Sequence, residues 1–207
     1  MKRKIKTLLV DDHAILRMGL VSLLSTFDDI EVVGEVGSGT EALKALPRLV
    51  PDVAVVDLMM QGMDGAETTA RLLEAQPGIR ILILTTFGTA DGIAHALDAG
   101  ARGAVLKNVP LDELVTAIRA VAAGEEYVCR DIRHILRESP PVPALSARQC
   151  EIIEMISKGY DNNEIARQLG ISLARVKEIV NTICNKFGAA NRTEAAVIAL
   201  KKHLLKI

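Results

Sequence analysis

The first 124 residues alternate between short apolar runs, rich in β-branched residues and leucine, and longer segments with apolar residues at helical spacing. Five such pairs follow one another. This alternation is typical of βα units around a parallel sheet that helices cover on both faces. The pattern predicts strands at Ile5–Val10, Glu31–Glu35, Val53–Val56, Ile81–Thr85 and Gly103–Leu106, and helices at Ala14–Ser25, Thr40–Leu46, Ala66–Gln76, Thr89–Ala99 and Leu111–Ala123.

The periodicity weakens after Gly124, and the proline-containing stretch at residues 139–143 cannot continue a helix or supply a ladder of backbone donors. Beyond it, four helical stretches begin near capping residues, at Ser146, Asn162, Ser172 and Asn191. We therefore predict an α/β domain at 1–124, a linker at 125–143 and a small all-α domain at 144–207. The predicted core of the small domain is Ile152, Ile153, Ile156, Ile165, Leu169, Val176, Val180, Ile183 and Val197.

Charge separates the two domains more clearly than composition does. The whole chain has 25 basic and 26 acidic side chains in 207 residues, a net charge of -1. Residues 1–143 hold 15 basic and 20 acidic side chains, and residues 144–207 hold the remaining 10 and 6, which gives -5 and +4. This asymmetry indicates that the small domain meets a polyanion. Aromatic residues make up only 2% of the chain, so base stacking on single strands is disfavoured and duplex DNA is the expected target.

The cysteine pattern and the N-terminus favour a cytoplasmic protein. The three cysteines form no CxxC pair, so neither a zinc site nor a disulfide framework is expected. The apolar run near the N-terminus ends at Asp11, which leaves no signal peptide and no membrane span.

Polar side chains follow four of the predicted strands, where an open parallel sheet places its chemistry. Asp11 and Asp12 follow the first strand, Asp57 the third, Thr85 ends the fourth, and Lys107 follows the fifth. Converging carboxylates repel one another unless a hard cation such as Mg²⁺ neutralises them, and an ammonium with a hydroxyl suits a phosphoryl group. Taken singly, these residues are equally well explained as helix caps, a solvated charge and an ordinary strand residue. Their conjunction favours a site.

The same residues resemble the receiver domain of two-component response regulators over residues 5–123, which implies a flavodoxin-like (βα)5 fold with a five-stranded sheet. The resemblance implies that Asp57 accepts a phosphoryl group from a phosphohistidine on a histidine kinase or phosphotransfer protein. It implies that Asp12, Asp57 and the backbone carbonyl of Met59 hold Mg²⁺, and that Asp11 acts through a bound water. Thr85 and Lys107 would contact the phosphoryl group. The matching motifs are Leu9-Val10-Asp11-Asp12-His13, Val56-Asp57-Leu58-Met59-Met60, Gly62-Met63-Asp64-Gly65, Leu84-Thr85 and Gly100 through Lys107.

Two positions depart from the receiver pattern. Gln61 stands where the family usually has proline, and Ala104 stands where it usually has an aromatic residue. That aromatic residue turns inward with the threonine on phosphorylation, so the resemblance implies a switch here that uses Thr85 alone.

The second domain has helix-turn-helix spacing and carries Leu145-Ser146-Ala147-Arg148, Gly159, Asn162, Glu164-Ile165-Ala166, Leu169, Ile171-Ser172, Val176-Lys177 and Lys186-Phe187-Gly188. With these motifs, residues 145–207 resemble the LuxR-type module of the NarL/FixJ subfamily. The resemblance makes Leu173–Phe187 the recognition helix. It implies that contacts to base edges and phosphates come from Arg175, Val176, Lys177 and Asn181. It also implies that three residues lie near the DNA backbone, namely Asn162, Asn163 and Lys186. Glu178 and Asp161 depart from the pattern by adding negative charge, and Glu178 would repel phosphate unless it accepts from a cytosine amine. The last helix, Thr193–Leu205, serves either a dimer interface or core packing.

These observations predict a cytoplasmic response regulator that binds DNA as a homodimer to control transcription. An alternative is an atypical regulator whose output domain binds a protein partner with little phosphorylation switching. A third hypothesis, a phosphohydrolase with Asp57 as nucleophile, is disfavoured because Met59 occupies the place of a general acid. The chain is thus predicted not to be an enzyme beyond the loss of its own phosphoryl group.

Overall fold

The computed structural model describes residues 3–86, 90–138 and 145–201. They fall into two compact units, Met1–Pro140 and Pro141–Ile207, each with its own apolar core.

The first unit is built on one parallel sheet with the strand order β2-β1-β3-β4-β5-β6. Every residue of β3 is buried, as expected for a central strand with helices on both faces. The order reverses between β1 and β3, so this edge of the sheet opens a crevice at the carboxyl ends of those strands. The strands are β1 Ile5–Val10, β2 Ile30–Val36, β3 Val53–Asp57, β4 Arg80–Thr85, β5 Gly103–Leu106 and β6 Tyr127–Val128.

In the described part of the first unit six helices accompany the sheet, and two of them begin at side-chain caps. Ser38 accepts from the Glu41 amide before the second helix, and Asp64 accepts from the Glu67 amide before the third. Thr89, the predicted start of the fourth helix, lies outside the described residues. The helices are α1 Ala14–Leu24, α2 Gly39–Leu49, α3 Gly65–Ala75, α4 Ala90–Asp98, α5 Leu111–Ala123 and α6 Arg130–Glu138.

The flavodoxin-like class is confirmed, but the prediction of five strands is one too low, and the linker prediction is wrong for residues 127–138. Tyr127–Val128 extends the sheet along β5, and α6 buries Ile132 completely against the first core. Gly103 permits this close approach, because a Cβ there would lie 2.5 Å from the Tyr127 carbonyl oxygen. Residues 139–143 of the predicted linker lie outside the described ranges.

Within residues 145–201, the second unit contains four helices, α7 Ala147–Ser157, α8 Asn162–Leu169, α9 Leu173–Phe187 and α10 Arg192–Lys201. Ser146 and Gln149 form the predicted capping box, whereas the cap of α8 is Asp161 and not the predicted Asn162. The predicted core is confirmed except at two positions. Leu169 is half-buried and packs against the core, and Val197 is 42% exposed because Ala195, Ala196 and Ala199 occupy the inward face of α10.

Among the described residues, no helix is both long and apolar enough to cross a membrane.

Candidate functional site

The carboxyl ends of β1, β3 and β5 bring together the residues that the sequence singles out. Lys107 Nζ lies 2.6 Å from Asp11 Oδ2 and 2.8 Å from Asp57 Oδ2. The side chains of all three residues are at most 6% exposed. The ammonium therefore bridges two buried carboxylates on the first and third strands, an arrangement that the parallel sheet imposes through the register of these strands.

Burial and pairing compete in setting the protonation of this pair. Burial raises the pKa of Asp57 above its ordinary value, and the hydrogen bond and charge of Lys107 oppose that rise without cancelling it. Burial alone would lower the pKa of Lys107, but its hydrogen bonds to Asp11 and Asp57 outweigh that effect and raise it. Lys107 is thus held in its charged form beside the Asp57 carboxylate.

Asp12 occupies the exposed rim of the same site. Its Oδ1 lies 2.8 Å from Nδ1 of His13, and its Oδ2 accepts from the Gln61 amide at 3.3 Å. One ligand atom from each of Asp11, Asp12, His13 and Asp57 falls within a group whose members lie within 4.8 Å of one another. This donor set, rich in carboxylate oxygens and carrying more negative charge than Lys107 offsets, fits a hard divalent cation.

His13 is the member of this cluster that sequence reasoning missed. Its Nδ1 also lies 3.1 Å from Asp11 Oδ1, and its backbone amide donates to the same oxygen. The signal was its position directly after the acidic pair, where a strand leads into a helix.

Thr85 lies at the end of β4 in the same layer. It is fully buried, and its Oγ1 makes no hydrogen bond within the described part of the chain. A buried hydroxyl without a partner is costly, so this group is poised to donate once an acceptor enters the site.

The loop that follows Asp57 is held close to the start of α3. The Gly65 amide donates to the Leu58 carbonyl, and a Cβ at Gly65 would lie 2.5 Å from the carbonyl oxygen of Asp57. Only glycine permits this approach. Met59 is 61% exposed in this loop, and its amide donates to Asp57 Oδ1 at 3.3 Å.

Helix α9 presents a polar face in the second unit, which carries Arg175, Lys177, Glu178 and Asn181. Its first turn is capped by Ser172, whose side chain accepts from the Arg175 amide. Arg175 Nη1 donates to Glu178 Oε2 at 2.7 Å, so Glu178 is paired within the helix. The prediction that Val176 contacts DNA is wrong, because Val176 is fully buried in the core between the helices.

The residues that are predicted to contact the DNA backbone differ in how accessible they are. Lys186 is half-buried and donates from Nζ to Gln149 Oε1 at 2.9 Å, which ties α9 to α7. Asn162 opens α8 and accepts from Arg192 at 2.6 Å. Asn163, beside it, is exposed.

Comparison with known families assigns both units. Residues 7–119 match the response regulator receiver domain, and residues 143–199 match the LuxR family of bacterial regulatory proteins. The chain is 36% identical over 209 residues to the transcriptional regulatory protein LiaR of Bacillus subtilis (strain 168), with 97% of this chain and 99% of LiaR covered. The chain belongs to the response-regulator family.

Solved structures agree with the assignment of this chain to the response-regulator family. The crystal structure of ChrA, a response regulator of a heme-sensing two-component system, is 37% identical, with a TM-score of 0.59 over 99% of this chain and 100% of ChrA. RcsB from Salmonella enterica serovar Typhimurium, bound to a promoter in the presence of a phosphomimetic, superposes with a TM-score of 0.70. That match covers 97% of this chain and 100% of RcsB, and at 24% identity it supports the fold alone. The predicted subfamily, with a LuxR-type output domain, is confirmed.

Proposed function

We propose that this response regulator accepts a phosphoryl group on Asp57 from a phosphohistidine of a kinase or phosphotransfer protein in the cytoplasm, and that it then binds duplex DNA as a homodimer. The observation that carries the first step is the buried contact of Lys107 with both Asp11 and Asp57. It places a fixed positive charge beside the only carboxylate that ends the central strand.

The transfer needs an ionised nucleophile and charge stabilisation. A carboxylate oxygen of Asp57 attacks phosphorus as the bond to the histidine nitrogen breaks, and the imidazole leaves. Lys107 favours the ionised form of Asp57 and stays close enough to stabilise charge on the phosphoryl oxygens. The unpartnered Thr85 hydroxyl then donates to one of these oxygens.

We propose Mg²⁺ as the metal, held by Asp12, Asp57 and the Met59 carbonyl, with Asp11 acting through a water molecule. The surplus negative charge of the acidic cluster supports this choice. When bound, the ion supplies positive charge that offsets the carboxylates and the incoming phosphoryl oxygens. Met59 supplies no general acid or base two residues after Asp57, which disfavours turnover on other substrates and leaves hydrolysis as the route by which the chain loses its own phosphoryl group.

The exposed face of α9 supports DNA binding by the second unit. Arg175, Lys177 and Asn181 project from the helix that follows the turn at Gly170, in the place of a recognition helix. Among the similar proteins, LiaR is a transcriptional regulatory protein. This relative and the positive charge of residues 144–207 favour DNA over a protein partner.

The exposed apolar side chains of Val197 and Leu200 on α10 support the homodimer part of the proposal, because they are three residues apart on one helix face.

The direct test is to treat the full chain with a small phosphodonor and Mg²⁺, and then to titrate a labelled duplex and measure size. We expect the treated chain to shift to a dimer and to bind duplex more tightly than the untreated chain. Binding that falls steeply between about 50 and 200 mM salt would mark phosphate contacts. No duplex binding at low salt in either state would contradict the DNA part of the proposal.

A further inference from the structure

The guanidinium of Arg192 joins the start of α10 to the start of α8. Arg192 Nη1 donates to Asn162 Oδ1 at 2.6 Å, and Nη2 donates to the backbone carbonyl of Tyr160. Arg192 and Asn162 are both half-buried. The two contacts hold the Asn162 amide against the planar guanidinium of Arg192, whose two donating nitrogens a lysine ammonium cannot replace.

This contact determines which end of the Asn162 amide is available. The amide has one accepting oxygen and one NH₂ group with two donors, and Arg192 occupies the oxygen. The NH₂ group makes no hydrogen bond within the described part of the chain. The nearby backbone amides of Asn163 and Glu164 are already used, because both donate to Asp161 Oδ1. The Asn162 NH₂ group is therefore the unused side-chain donor at the first residue of α8.

We propose that Arg192 is a positioning residue for DNA binding, which holds the Asn162 amide so that its NH₂ group donates to a DNA phosphate. The inference rests on the DNA binding proposed above and gives Asn162 a defined role in it. Phosphate oxygens accept and do not donate, so the orientation that Arg192 enforces is the one that a phosphate requires. The cation of Arg192 beside the amide adds attraction for the same phosphate.

The first test compares Asn162→Asp with Asn163→Asp in the full chain, by thermal unfolding and by titration of a labelled mixed-sequence duplex. Both substitutions add one negative charge at the start of α8, but only Asn162 contacts Arg192. We expect Asn162→Asp to keep or raise the unfolding temperature, because Arg192 then pairs with a carboxylate. We expect it to weaken duplex binding more than about tenfold, and Asn163→Asp to weaken it only about threefold. Equal losses from the two variants would overturn the proposal.

The second test asks whether Arg192 acts through Asn162. Arg192→Lys keeps the charge and loses the fork, and we expect it to weaken duplex binding several-fold in the wild-type chain but not in Asn162→Ala. Arg148→Lys is the matched control, because Arg148 also donates to a backbone carbonyl, that of Leu169, without touching Asn162. Any effect of Arg148→Lys should be the same factor in both backgrounds. If Arg192→Lys weakens duplex binding by the same factor in the wild-type chain and in Asn162→Ala, Arg192 has only a structural role and the proposal is overturned.

Lys177→Ala separates this inference from the function on which it rests. If Lys177→Ala weakens duplex binding while Asn162→Ala leaves it unchanged, the positioning role is wrong and DNA binding stands. If the wild-type chain fails to bind the duplex at about 50 mM salt, both fail together.

Discussion

The two units each contain a charged pair of nearly the same length in very different surroundings. Lys107 lies 2.8 Å from Asp57, and their side chains are 6% and 2% exposed. Arg175 lies 2.7 Å from Glu178, and their side chains are 58% and 64% exposed. Distance alone would rank them as equals. Removing Lys107 leaves buried carboxylates without its compensating charge, whereas water compensates either partner of the exposed pair.

This difference matches the work of each unit. The proposed chemistry of the first unit lies at one edge of the sheet, where the strand ends hold Asp11, Asp57 and Lys107 in buried positions. The proposed DNA contacts of the second unit are spread over the exposed face of α9, where affinity comes from the sum of many phosphate contacts.

The largest effect should come from Lys107→Met, which keeps apolar volume and removes the charge. We expect it to lower the free energy of unfolding of the first unit by about 3 kcal/mol in the absence of Mg²⁺, because the buried carboxylates of Asp11 and Asp57 lose the ammonium that compensates both. Arg175→Met should change the second unit by less than about 1 kcal/mol. Calorimetry of the full chain measures both, and similar losses would remove the distinction between the two pairs.

The next effect concerns the metal and compares Asp12→Ala with Asp11→Ala. Asp12 lies at the exposed rim, while Asp11 is buried and paired with Lys107. Asp12→Ala should therefore weaken Mg²⁺ binding by more than about tenfold, and Asp11→Ala should weaken it less. Titration calorimetry decides between them, and equal affinities for the two variants would count against direct ligation by Asp12.

Asp57→Asn tests the balance of burial and pairing through pH. Because the folded-state pKa of Asp57 is raised, ionisation of this carboxyl lowers stability as pH rises through that pKa. The pKa of Lys107 is also raised, so this group contributes stability that is fully present below pH 10.5 and is lost only as the pH rises through its folded-state pKa. Without Mg²⁺, Asp57→Asn should be more stable than the wild-type chain at neutral pH, and the gap should close toward acid. A gap that widens on acidification would refute this account.

The smallest effect is expected for Glu178→Gln, which removes the exposed carboxylate beside the proposed DNA contacts. We expect duplex affinity to rise about twofold, because repulsion within a Debye length of about 8 Å is lost and Arg175 is released. Glu151→Gln is the matched control, since Arg148 and Glu151 form an ion pair on α7 with the same spacing of three residues and the same distance of 2.7 Å. A gain of equal size in the control would assign the effect to net charge and not to the position on α9.

Sequence periodicity predicts the five main strands to within a residue at each end, because buried parallel strands form continuous apolar runs. The site follows from the same pattern, since parallel strands bring their carboxyl ends to one edge. The sixth strand was missed because it has two residues and follows Glu125 and Glu126. The helix that follows it, α6, could have been predicted, because Ile132, Ile135 and Leu136 have helical spacing.

For α9, the proposed recognition helix, two sequence-based predictions disagreed. Apolar spacing places Val176 in the predicted core, whereas the family resemblance gives it a DNA contact, and its burial against the other helices shows that the apolar spacing is the better guide. The pairing of Glu178 with Arg175 follows from their three-residue spacing in a predicted helix. The contact of Arg192 with Asn162 could not be predicted, because it depends on how two different helices pack.

The central claim is that Asp57 is the residue that accepts the phosphoryl group. Intact mass spectrometry of the full chain after treatment with a small phosphodonor and Mg²⁺ tests it most directly. We predict a single added phosphoryl group on the wild-type chain and none on Asp57→Asn, which keeps the size of the side chain and loses its nucleophilic charge. A phosphoryl group on Asp57→Asn under the same conditions would contradict the assignment.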